Sequence, residues 1–413
     1  MRLLFVNPTH PFTPHISGTR AWRFAEELAK SGHQVVLLCA TLNHNHTADD
    51  GGIEDHDWRK PFVLACDPDG TNRVGNAVLS APVRKAVTVW SLLLHGGTMR
   101  RWATMADTAA RRLFDRFRPD VVWATFGRME AVFVARRVAY AVRCPWVLDI
   151  KDNWELYVPA GLRRMLVART KGWAALTANS CFTQEKARIW QGTEATVIYS
   201  GVDPAFFADH TLGCRDSDLF CINLVGGLYY REKLVDFVGG LKQWADSLAS
   251  DERNKIQLRY LGGDRELFQE VASVGNLAID VTTTGYIPVY EMAQHCRCCA
   301  LNVYIAHGSG FHHKLLELLA CGRPVIAYPT ELEESRVLAR YIGGELLTPN
   351  TPAAVASELA RLHERWRAGG LTGPALESAR EFSWAAQAKR LEKVLDDVAK
   401  NRDDPYSAGR NNV

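Results

Sequence analysis

Short apolar segments alternate with amphipathic helical segments along most of this 413-residue chain. The apolar segments show no helical period, which is typical of parallel strands buried on both faces. In the first half the predicted strands are 3–7, 35–39, 121–124, 146–150 and 195–198. In the second half they are 221–225, 256–261, 278–281, 301–304 and 325–327. Two successive blocks of this kind predict an α/β fold with two doubly wound parallel sheets.

The helical segments and the polar stretches divide the chain into domains. Residues 19–31 form an amphipathic segment that ends before Gly32, a typical helix stop. Other helices are predicted from about 129, after 159, from about 232, 265 and 289, and over most of 353–400. The predicted domains are 1–203 and 219–381, with a polar, turn-rich linker over 204–218, a C-terminal helix over 382–400 and a disordered tail over 401–413.

Composition excludes two classes of protein. The net charge of +3 is too small to indicate a nucleic-acid partner. The first apolar segment is too short for a signal peptide, and no run reaches the ~18 apolar residues that a membrane span needs. With 47% hydrophobic and 23% charged residues, the chain is expected to be a cytoplasmic protein with a sizeable core.

The ten cysteines do not indicate a metal site. Most lie within or beside apolar stretches, where cysteine packs as a small hydrophobic residue. The one cluster runs from Cys296 to Cys299 beside His295, and the chain has no second Cys-x-x-Cys to complete a zinc-binding set. Packing is therefore the expected role of the cluster, and no metal ion is expected.

The run from Phe311 to Ile326 is the most informative segment for function. It predicts a helix that begins after the glycine-bearing loop 308–310 and that stops before a short buried strand. Lys314 and Glu317 share a helical surface near the predicted helix N-terminus, an end that suits a bound phosphate. The lysine would neutralise that phosphate, and the carboxylate would accept hydrogen bonds from ribose hydroxyls. The alternative is an ordinary Lys–Glu pair on a helix surface.

The same run resembles the K-L-x-E-x-x-A-x-G-x-P-V signature of retaining, family-4-like nucleotide-sugar glycosyltransferases, which have the GT-B fold. Further segments resemble the family in the expected order along nearly the whole chain. These segments are 8–36, 149–154, 197–203, 224–227, 261–263 and 285–288. The resemblance implies two Rossmann-like doubly wound domains facing an interdomain cleft, with the nucleotide held mainly by the C-terminal domain. It also implies that the helix over 382–400 crosses back to the N-terminal domain.

What the resemblance implies for function is retaining transfer of a sugar from a nucleotide-diphosphate-sugar donor to an acceptor hydroxyl. Synthesis of cell-surface polysaccharide or glycoconjugate is the expected setting, with a saccharide or lipid-linked saccharide as acceptor. Catalysis in the family is metal-free stabilisation of the leaving group, so no cofactor is expected besides the donor itself. Two alternatives stay open, which are a nucleotide-sugar 2-epimerase and a catalytically silent GT-B scaffold or partner protein.

Ser17, Gly18 and Thr19 lie between the first predicted strand and the first predicted helix. At this place an open α/β sheet exposes helix N–H groups to a ligand, and a glycine lets the backbone approach a diphosphate or sugar closely. The family more often has two glycines here, and Ser17 stands in the first position. We predict that these residues bind the donor, with an ordinary helix cap by Ser17 or Thr19 as the alternative.

Asp149, Lys151 and Asp152 lie at the C-terminal end of a buried strand. The carboxyl end of a parallel strand is expected to face the ligand cleft. This segment resembles the Asp-x-Arg-Asp-x-Trp form that a subgroup of the family carries. We predict that Lys151 holds a sugar hydroxyl or a donor phosphate and that Asp152 orients the acceptor. The alternative is a structural ion pair with Trp154 packed beneath it.

Arg231 and Lys233 follow the strand 221–225 and a Gly-Gly turn. In the family an Arg and a Lys in this region grip the donor diphosphate, where negative charge develops as the leaving group departs. Gly227 stands at the usual Arg position, so Arg231 is predicted to substitute for it from the next turn. The alternative is that both side chains are solvated charges on a helix.

Two further groups of donor-binding residues come from the resemblance. The turn with Tyr286 and Ile287 resembles the one that holds the nucleobase in the family, with a plain strand-to-helix turn as the alternative. Many relatives place a glutamate eight positions before Glu317, and Ser309 stands there in this chain. Contacts to the donor sugar are then predicted from the loop formed by Ser309, Gly310, Phe311 and His312.

The segment 82–118 is strongly basic, with eight Arg/Lys against two Asp, and apolar residues are interleaved with the charges. A basic amphipathic surface of this kind suits an anionic membrane face or a lipid-diphosphate acceptor. Residues 161–173 add further basic side chains. The pattern predicts peripheral contact with the inner membrane face, and the alternative is a normal helix pair with a solvated basic side.

Overall fold

The computed structural model of the protein describes residues 1–13, 15–42, 52–66, 81–97, 99–207, 219–308, 310–371 and 376–401. They form two compact units. Unit 1 comprises Met1–Gly201 with Trp384–Val413, and unit 2 comprises Val202–Ser383. Most of the predicted linker and tail, the residues 208–218 and 402–413, lie outside the described residues, as does Ser309. No helix within the described ranges is long and apolar enough to cross a membrane.

Each unit is built on one parallel sheet. The strands of unit 1 are β1 (Arg2–Val6), β2 (Gln34–Ala40), β3 (Phe62–Cys66), β4 (Val121–Phe126), β5 (Trp146–Ile150), β6 (Ala175–Ala178) and β7 (Thr196–Val197). Those of unit 2 are β8 (Phe220–Val225), β9 (Ile256–Leu261), β10 (Asp280–Thr283), β11 (Leu301–Ile305), β12 (Val325–Tyr328) and β13 (Leu346–Leu347). Their orders are β3-β2-β1-β4-β5-β6-β7 and β10-β9-β8-β11-β12-β13. The strand order therefore reverses between β1 and β4 in unit 1 and between β8 and β11 in unit 2.

Helices connect the strands. In unit 1 the first seven are α1 (Ile16–Lys30), α2 (Ala81–His95), α3 (Arg100–Leu113), α4 (Met129–Val142), α5 (Trp154–Tyr157), α6 (Arg163–Thr170) and α7 (Cys181–Gln191). Unit 2 contains α8 (Arg231–Asp246), α9 (Ser250–Arg253), α10 (Arg265–Gly275), α11 (Val289–Arg297), α12 (Lys314–Ala320), α13 (Glu333–Ile342) and α14 (Pro352–Arg367). The last helix, α15 (Trp384–Lys400), returns to unit 1 and packs beside α1.

Unit 1 shows why the strands read as continuous apolar runs. Leu3 and Phe5 of β1 face one side of the sheet and belong to a core with residues of α1 and α15. Leu4 and Val6 face the other side and belong to a core with residues of α3 and α4. Because successive strand residues point to opposite faces and helices cover both faces, successive positions of such a strand are mostly apolar. The predicted pair of Rossmann-like, doubly wound parallel sheets is confirmed.

Several element predictions need correction. Strand β10 begins at Asp280, two residues later than predicted, and the helix of the signature run begins only at Lys314 and spans seven residues. Strands β3 and β6 and helix α7 were not predicted. Residues of β6 are Ala-Leu-Thr-Ala, too short and too small to give a strand pattern, and β3 lies at the sheet edge with alternating burial.

Candidate functional site

The candidate donor site of unit 2 lies where the strand order reverses, between β8 and β11. Ligands of open α/β sheets bind beyond the carboxyl ends of the strands at such a switch point. The turn at Gly226 follows β8, and the loop 306–313 connects β11 to α12. Helix α12 therefore starts at the switch point, and its first residue is Lys314.

Lys314 is a partly buried cation without a carboxylate ion-pair partner among the described residues. Its Nζ donates a hydrogen bond to the carbonyl of Val225 at 3.2 Å and lies 5.5 Å from the ring centroid of Tyr304. No carboxylate within the described part of the chain forms an ion pair with it. Burial lowers the pKa of Lys314 to about 8, although the charges of Glu317, Glu331 and Asp264 act to raise it. The site thus presents positive charge that a bound anion would neutralise.

Gly226 makes room for this cation. Its φ is +90°, a conformation that favours glycine, and a Cβ atom there would lie 2.2 Å from Nζ of Lys314. The hydroxyl of Tyr260 donates to the Gly226 carbonyl at 2.9 Å, and Asp264 accepts from the backbone N–H of Leu228 at 2.7 Å. The turn after β8 is therefore held by hydrogen bonds to the end of β9 and the loop that follows it. In this position the turn lies close to Nζ of Lys314.

Glu317 lies one turn after Lys314 on α12, as the sequence predicts. Its Oε1 is 3.3 Å from Nε2 of His313, and only 12% of its side chain is exposed. The carboxylate is therefore already positioned by the residue that precedes the helix. A carboxylate accepts hydrogen bonds only, so its remaining lone pairs suit a ligand with hydroxyl donors.

Tyr286 and Tyr229 are exposed aromatic side chains at this edge of the sheet. The ring of Tyr286 covers Gly263, where a Cβ would lie 2.4 Å from the ring, and Ile287 beside it is half-buried. The ring of Tyr229 passes over Gly227 and meets the ring of His307 edge-on at 5.1 Å. The two glycines thus allow aromatic rings to lie flat against the turns after β8 and β9. A flat, exposed ring suits a base or a sugar face.

The structure corrects the prediction for His312. Its side chain is 3% exposed, and both ring nitrogens have partners. Nδ1 is 2.7 Å from Glu331, and Nε2 accepts the backbone N–H of His307 at 3.1 Å. A donor sugar therefore finds no open nitrogen on His312. Gly310 and Phe311 are half-buried in the same loop, and Ser309 lies outside the described residues.

Arg231 and Lys233 adopt the alternative arrangement that the sequence left open. Arg231 begins α8 and pairs with Glu270 of α10, and Lys233 lies 3.9 Å from Asp236 one turn along the same helix. Their side chains are 50% and 40% exposed. Both are thus surface charges with acidic partners, in contrast to Lys314.

Ser17, Gly18 and Thr19 lie in the first turn of α1 in unit 1. The helix cap is not one of them, because the ring of His15 accepts the N–H of Ser17 at 3.1 Å. The carbonyl of buried Ser17 accepts a hydrogen bond from the Asn7 side chain at 2.7 Å. A Cβ on Gly18 would lie 2.5 Å from the carbonyl oxygen of His10, so only glycine permits this close approach.

Gly127 marks the convergence of the predicted unit 1 residues. A Cβ at this position, after β4, would lie 2.8 Å from Oγ of Ser17 and 3.6 Å from atoms of both Lys151 and Asp152. Lys151 is buried, and its Nζ lies 2.9 Å from Asp152. Ser17, Lys151 and Asp152 therefore share one small site at the switch point between β1 and β4. The Lys151–Asp152 ion pair is the arrangement of the structural alternative.

Asp149 does not face this site, in contrast to the prediction. It lies within β5, fully buried, and forms two hydrogen bonds of 2.8 and 3.0 Å with the guanidinium of Arg20. Thr177 donates to it as well, at 2.7 Å. Burial acts to raise the pKa of Asp149, but the charge and hydrogen bonds of Arg20 outweigh it and hold that pKa below its usual value. The signal for this pair is a charged residue on an otherwise apolar helix face and another within an apolar strand.

No group of three or more His, Cys, Asp or Glu side chains that could hold a metal ion occurs among the described residues. Cys296 and Cys299 are buried, and the thiol of Cys299 donates to the Cys296 carbonyl at 3.2 Å. Burial raises the pKa of both thiols well above the usual value. Both thiols therefore stay protonated and belong to the packing of unit 2.

Comparison with known proteins matches both units to glycosyltransferase models. Residues 17–195 match a glycosyl transferase 4-like domain, and residues 220–365 match glycosyl transferases group 1. The chain is also 30% identical to D-inositol 3-phosphate glycosyltransferase of Thermobispora bispora over 134 residues. That match covers 32% of this chain and 31% of the relative, so it spans about a third of each.

Two solved structures share the fold over nearly the whole chain. Anabaena HepE in complex with UDP and glucose has a TM-score of 0.66 at 14% identity, over 96% of this chain and 100% of that one. Sucrose-phosphate synthase from Thermosynechococcus elongatus has a TM-score of 0.67 at 15% identity, over 96% and 98%. With its two Rossmann-like units, the protein has the GT-B fold. By its matches to these two domain models, the chain belongs to the family-4-like glycosyltransferases.

Proposed function

We propose that the protein transfers a sugar from a nucleoside-diphosphate sugar to an acceptor hydroxyl with retention, and that unit 2 holds the donor. One observation carries the proposal. Lys314 is a partly buried ammonium at the switch point of the sheet, where its partners among the described residues are a carbonyl oxygen and an aromatic ring. A cation in this setting is costly unless an anion joins it. The HepE structure, which shares the fold, holds UDP.

The proposed donor roles combine the family resemblance with the positions of these side chains. Lys314 binds the diphosphate, and because negative charge grows on the diphosphate as its bond to the sugar breaks, a fixed cation stabilises the transition state more than the ground state. Glu317 accepts hydrogen bonds from the ribose hydroxyls. Tyr286 and Ile287 border the base beside Gly263. We propose retention because the run that contains Lys314 and Glu317 resembles the signature of retaining glycosyltransferases.

Arg231 and Lys233 take a lesser part in this proposal than the sequence assigned to them. Both are exposed and have acidic partners. They contribute long-range attraction to the anionic donor, which is screened by salt. Lys314 remains the cation that contacts the diphosphate.

The acceptor is assigned to unit 1. Lys151 and Asp152 lie beside Gly127 at the carboxyl ends of β4 and β5. Donor binding by Ser17, Gly18 and Thr19 stays a prediction. Asp152 orients the acceptor hydroxyl, and Lys151 neutralises a nearby anionic group. The acceptor is a growing saccharide in cell-surface polysaccharide or glycoconjugate synthesis, carried on a lipid diphosphate.

Membrane contact is part of the acceptor proposal. Val83, Trp90 and Leu94 of α2 recur on one helical face and are 46%, 62% and 44% exposed. Helix α6 lies beside α2, because Arg169 donates to the carbonyl of Leu93, and Met165 on α6 is 42% exposed. Exposed apolar side chains beside basic ones suit an anionic bilayer surface. This contact would place the protein on the inner membrane face.

The donor assignment is tested by a thermal-shift panel with UDP, GDP, ADP, TDP and CMP. We expect one diphosphate to raise the Tm of the wild type, and the shift to be lost in Glu317→Ala and Lys314→Met. A control is Glu333→Gln, an exposed glutamate of α13. Flat curves for every nucleotide would contradict the donor site. Binding without donor hydrolysis or sugar transfer would identify the silent scaffold instead.

The membrane contact is tested separately by flotation with vesicles of neutral or anionic lipid. Trp90→Ser is expected to reduce binding to anionic vesicles several-fold, because a large apolar side chain no longer enters the interface. Trp58 is not substituted in this test, because it packs against the core of unit 1. Equal flotation of wild type and Trp90→Ser would contradict contact through α2.

A further inference from the structure

Glu331 is a buried carboxylate that the proposed donor contacts do not use. It follows β12, and its side chain is 1% exposed. Its Oε2 accepts hydrogen bonds from the Tyr304 hydroxyl and from Nδ1 of His312, the latter at 2.7 Å. Its Oε1 accepts the backbone N–H of Leu332 at 2.8 Å. Both oxygens are therefore occupied by donors.

The carboxylate is held in its ionised form. Burial acts to raise the pKa of Glu331, but the hydrogen bonds from His312, Tyr304 and Leu332 outweigh it and lower that pKa below its usual value. A buried carboxylate accepts several strong hydrogen bonds at once, so it fixes its donors more firmly than a neutral acceptor does. Glu331 is thus a fixed point beneath the donor site.

His312 transmits this fixed point to the loop 306–313. The backbone N–H of His307 can only donate, so Nε2 of His312 is the acceptor at 3.1 Å and Nδ1 carries the proton given to Glu331. The rings of His307 and His312 also meet at 4.3 Å. The start and the end of the loop are therefore tied to each other and to Glu331.

Tyr304 transmits the same fixed point to Lys314. Its side chain is fully buried at the end of β11, and its hydroxyl has Glu331 as acceptor. The face of its ring lies 5.5 Å from Nζ of Lys314. The hydrogen bond to Glu331 anchors the hydroxyl end of this side chain, and with it the position of the ring on which the ammonium rests.

We propose that Glu331 is a positioning residue of the donor site, which holds the sugar-facing loop through His312 and the surface under Lys314 through Tyr304. The inference rests on the proposed function, since it assumes that this loop borders the donor sugar. Glu331 contacts neither sugar nor diphosphate in this account.

The first test is hydrogen–deuterium exchange of residues 306–313 in the free full-length protein. Glu331→Gln keeps the size of the side chain, but its amide nitrogen donates, so it cannot accept from all three donors. We expect exchange about tenfold faster in this loop, the effect of losing a hydrogen bond to a charged group. Tyr304→Phe, which removes one hydroxyl, is expected to give about a threefold change. Glu333→Gln, on the exposed side of α13, is the control and is expected to match the wild type.

The second test separates positioning from binding. With UDP and UDP-glucose as probes, Glu331→Gln should leave the Kd for UDP within about threefold, because Lys314 is retained. The kcat for transfer or donor hydrolysis should fall about 10- to 100-fold, the usual result of small misplacement of reacting groups.

Two results would overturn the role of Glu331. One is equal loop exchange in Glu331→Gln and Glu333→Gln, and the other is a loosened loop with unchanged kcat. If Glu331→Gln does not fold, Tyr304→Phe carries the same two measurements. Failure of the wild type to bind any nucleoside diphosphate would instead count against the proposed function, and the exchange result would still judge Glu331.

Discussion

The carboxyl edges of the two sheets have the same topology, but they differ in how their cations are paired. Among the described residues of unit 1, the buried cations Arg20 and Lys151 have carboxylate partners, Asp149 and Asp152, at 2.8 and 2.9 Å. In unit 2 the cation Lys314 rests on a carbonyl and an aromatic ring, without a carboxylate partner among the described residues. The buried carboxylate nearby, Glu331, is satisfied by other donors.

This difference indicates that charges at similar places in two similar folds can stabilise one unit and bind a ligand in the other. A fully buried ion pair such as Arg20–Asp149, complete within the chain, holds elements together and offers no charge to a ligand. A buried charge that the chain leaves incomplete stores an attraction for a ligand of opposite sign. The comparison therefore predicts that removing a cation has opposite effects on stability in the two units.

The largest effect is expected for Arg20→Met in unit 1. The substitution leaves Asp149 buried and without its ion-pair partner, which typically costs about 3–5 kcal/mol. Urea unfolding followed by circular dichroism measures the change. The control is Arg188→Met, since Arg188 and Glu185 are 61% and 52% exposed and such pairs contribute about 0–1 kcal/mol. Equal losses in the free energy of unfolding of the two variants would contradict the structural role of the Arg20–Asp149 pair.

The next effect is expected for Gly226→Ala in unit 2. The new Cβ would lie 2.2 Å from Nζ of Lys314, at a φ of +90° that disfavours alanine. We expect about 1–3 kcal/mol of destabilisation from backbone strain and weaker UDP binding, because the ammonium must move. Differential scanning calorimetry and titration with UDP measure both.

Gly239→Ala is the matched control for this substitution. Gly239 lies in α8 of the same unit, and its added Cβ would meet nothing within 4 Å. Alanine there should stabilise the helix by about 0.5–1 kcal/mol. Changes of the same sign in both variants would show that the space at Gly226 is not reserved for Lys314.

The affinity for the donor is expected to depend on pH through the charge of Lys314. Burial lowers the pKa of Lys314 to about 8, so the free protein loses this charge as the pH rises through that value. Affinity for UDP should therefore fall above about pH 8, by up to about tenfold per pH unit. Calorimetric titration at several pH values measures it. An unchanged pH profile in Lys314→Met would assign the proton to another group.

The smallest effect, and the one with the opposite sign, is expected for Lys314→Met in the free protein. Methionine retains an apolar stem of similar length and removes an uncompensated charge, so stability at pH 7 should rise by about 1 kcal/mol. The sign agrees with the lowered pKa, because the cost of folding with Lys314 charged is fully present below about pH 8 and declines only as the pH rises from there towards the ordinary value of 10.5. Thermal unfolding without nucleotide measures it, and Lys233→Met, at a side chain 40% exposed, is the control. A loss of stability in Lys314→Met would remove the contrast between the units.

The sequence predicts the local parts of both edges because their signals lie within a few residues. Lys314 and Glu317 are one helical turn apart, and Lys151 directly follows a buried strand. The sequence does not predict the orientation of His312 or the partner of Asp149. Their partners Glu331 and Arg20 are 19 and 129 residues away, and no local spacing records such pairs.

The sequence by itself determined the two doubly wound sheets, the family and the position of Lys314 at the start of a helix. Apolar periodicity and short motifs carry these features, since each depends on neighbouring residues along the chain. Tertiary structure decided which charges are complete and which are not. Arg20 and Lys151 are each brought against a carboxylate, whereas Lys314 is brought against a carbonyl and a ring, and only the three-dimensional neighbours of a charge determine whether it is neutralised.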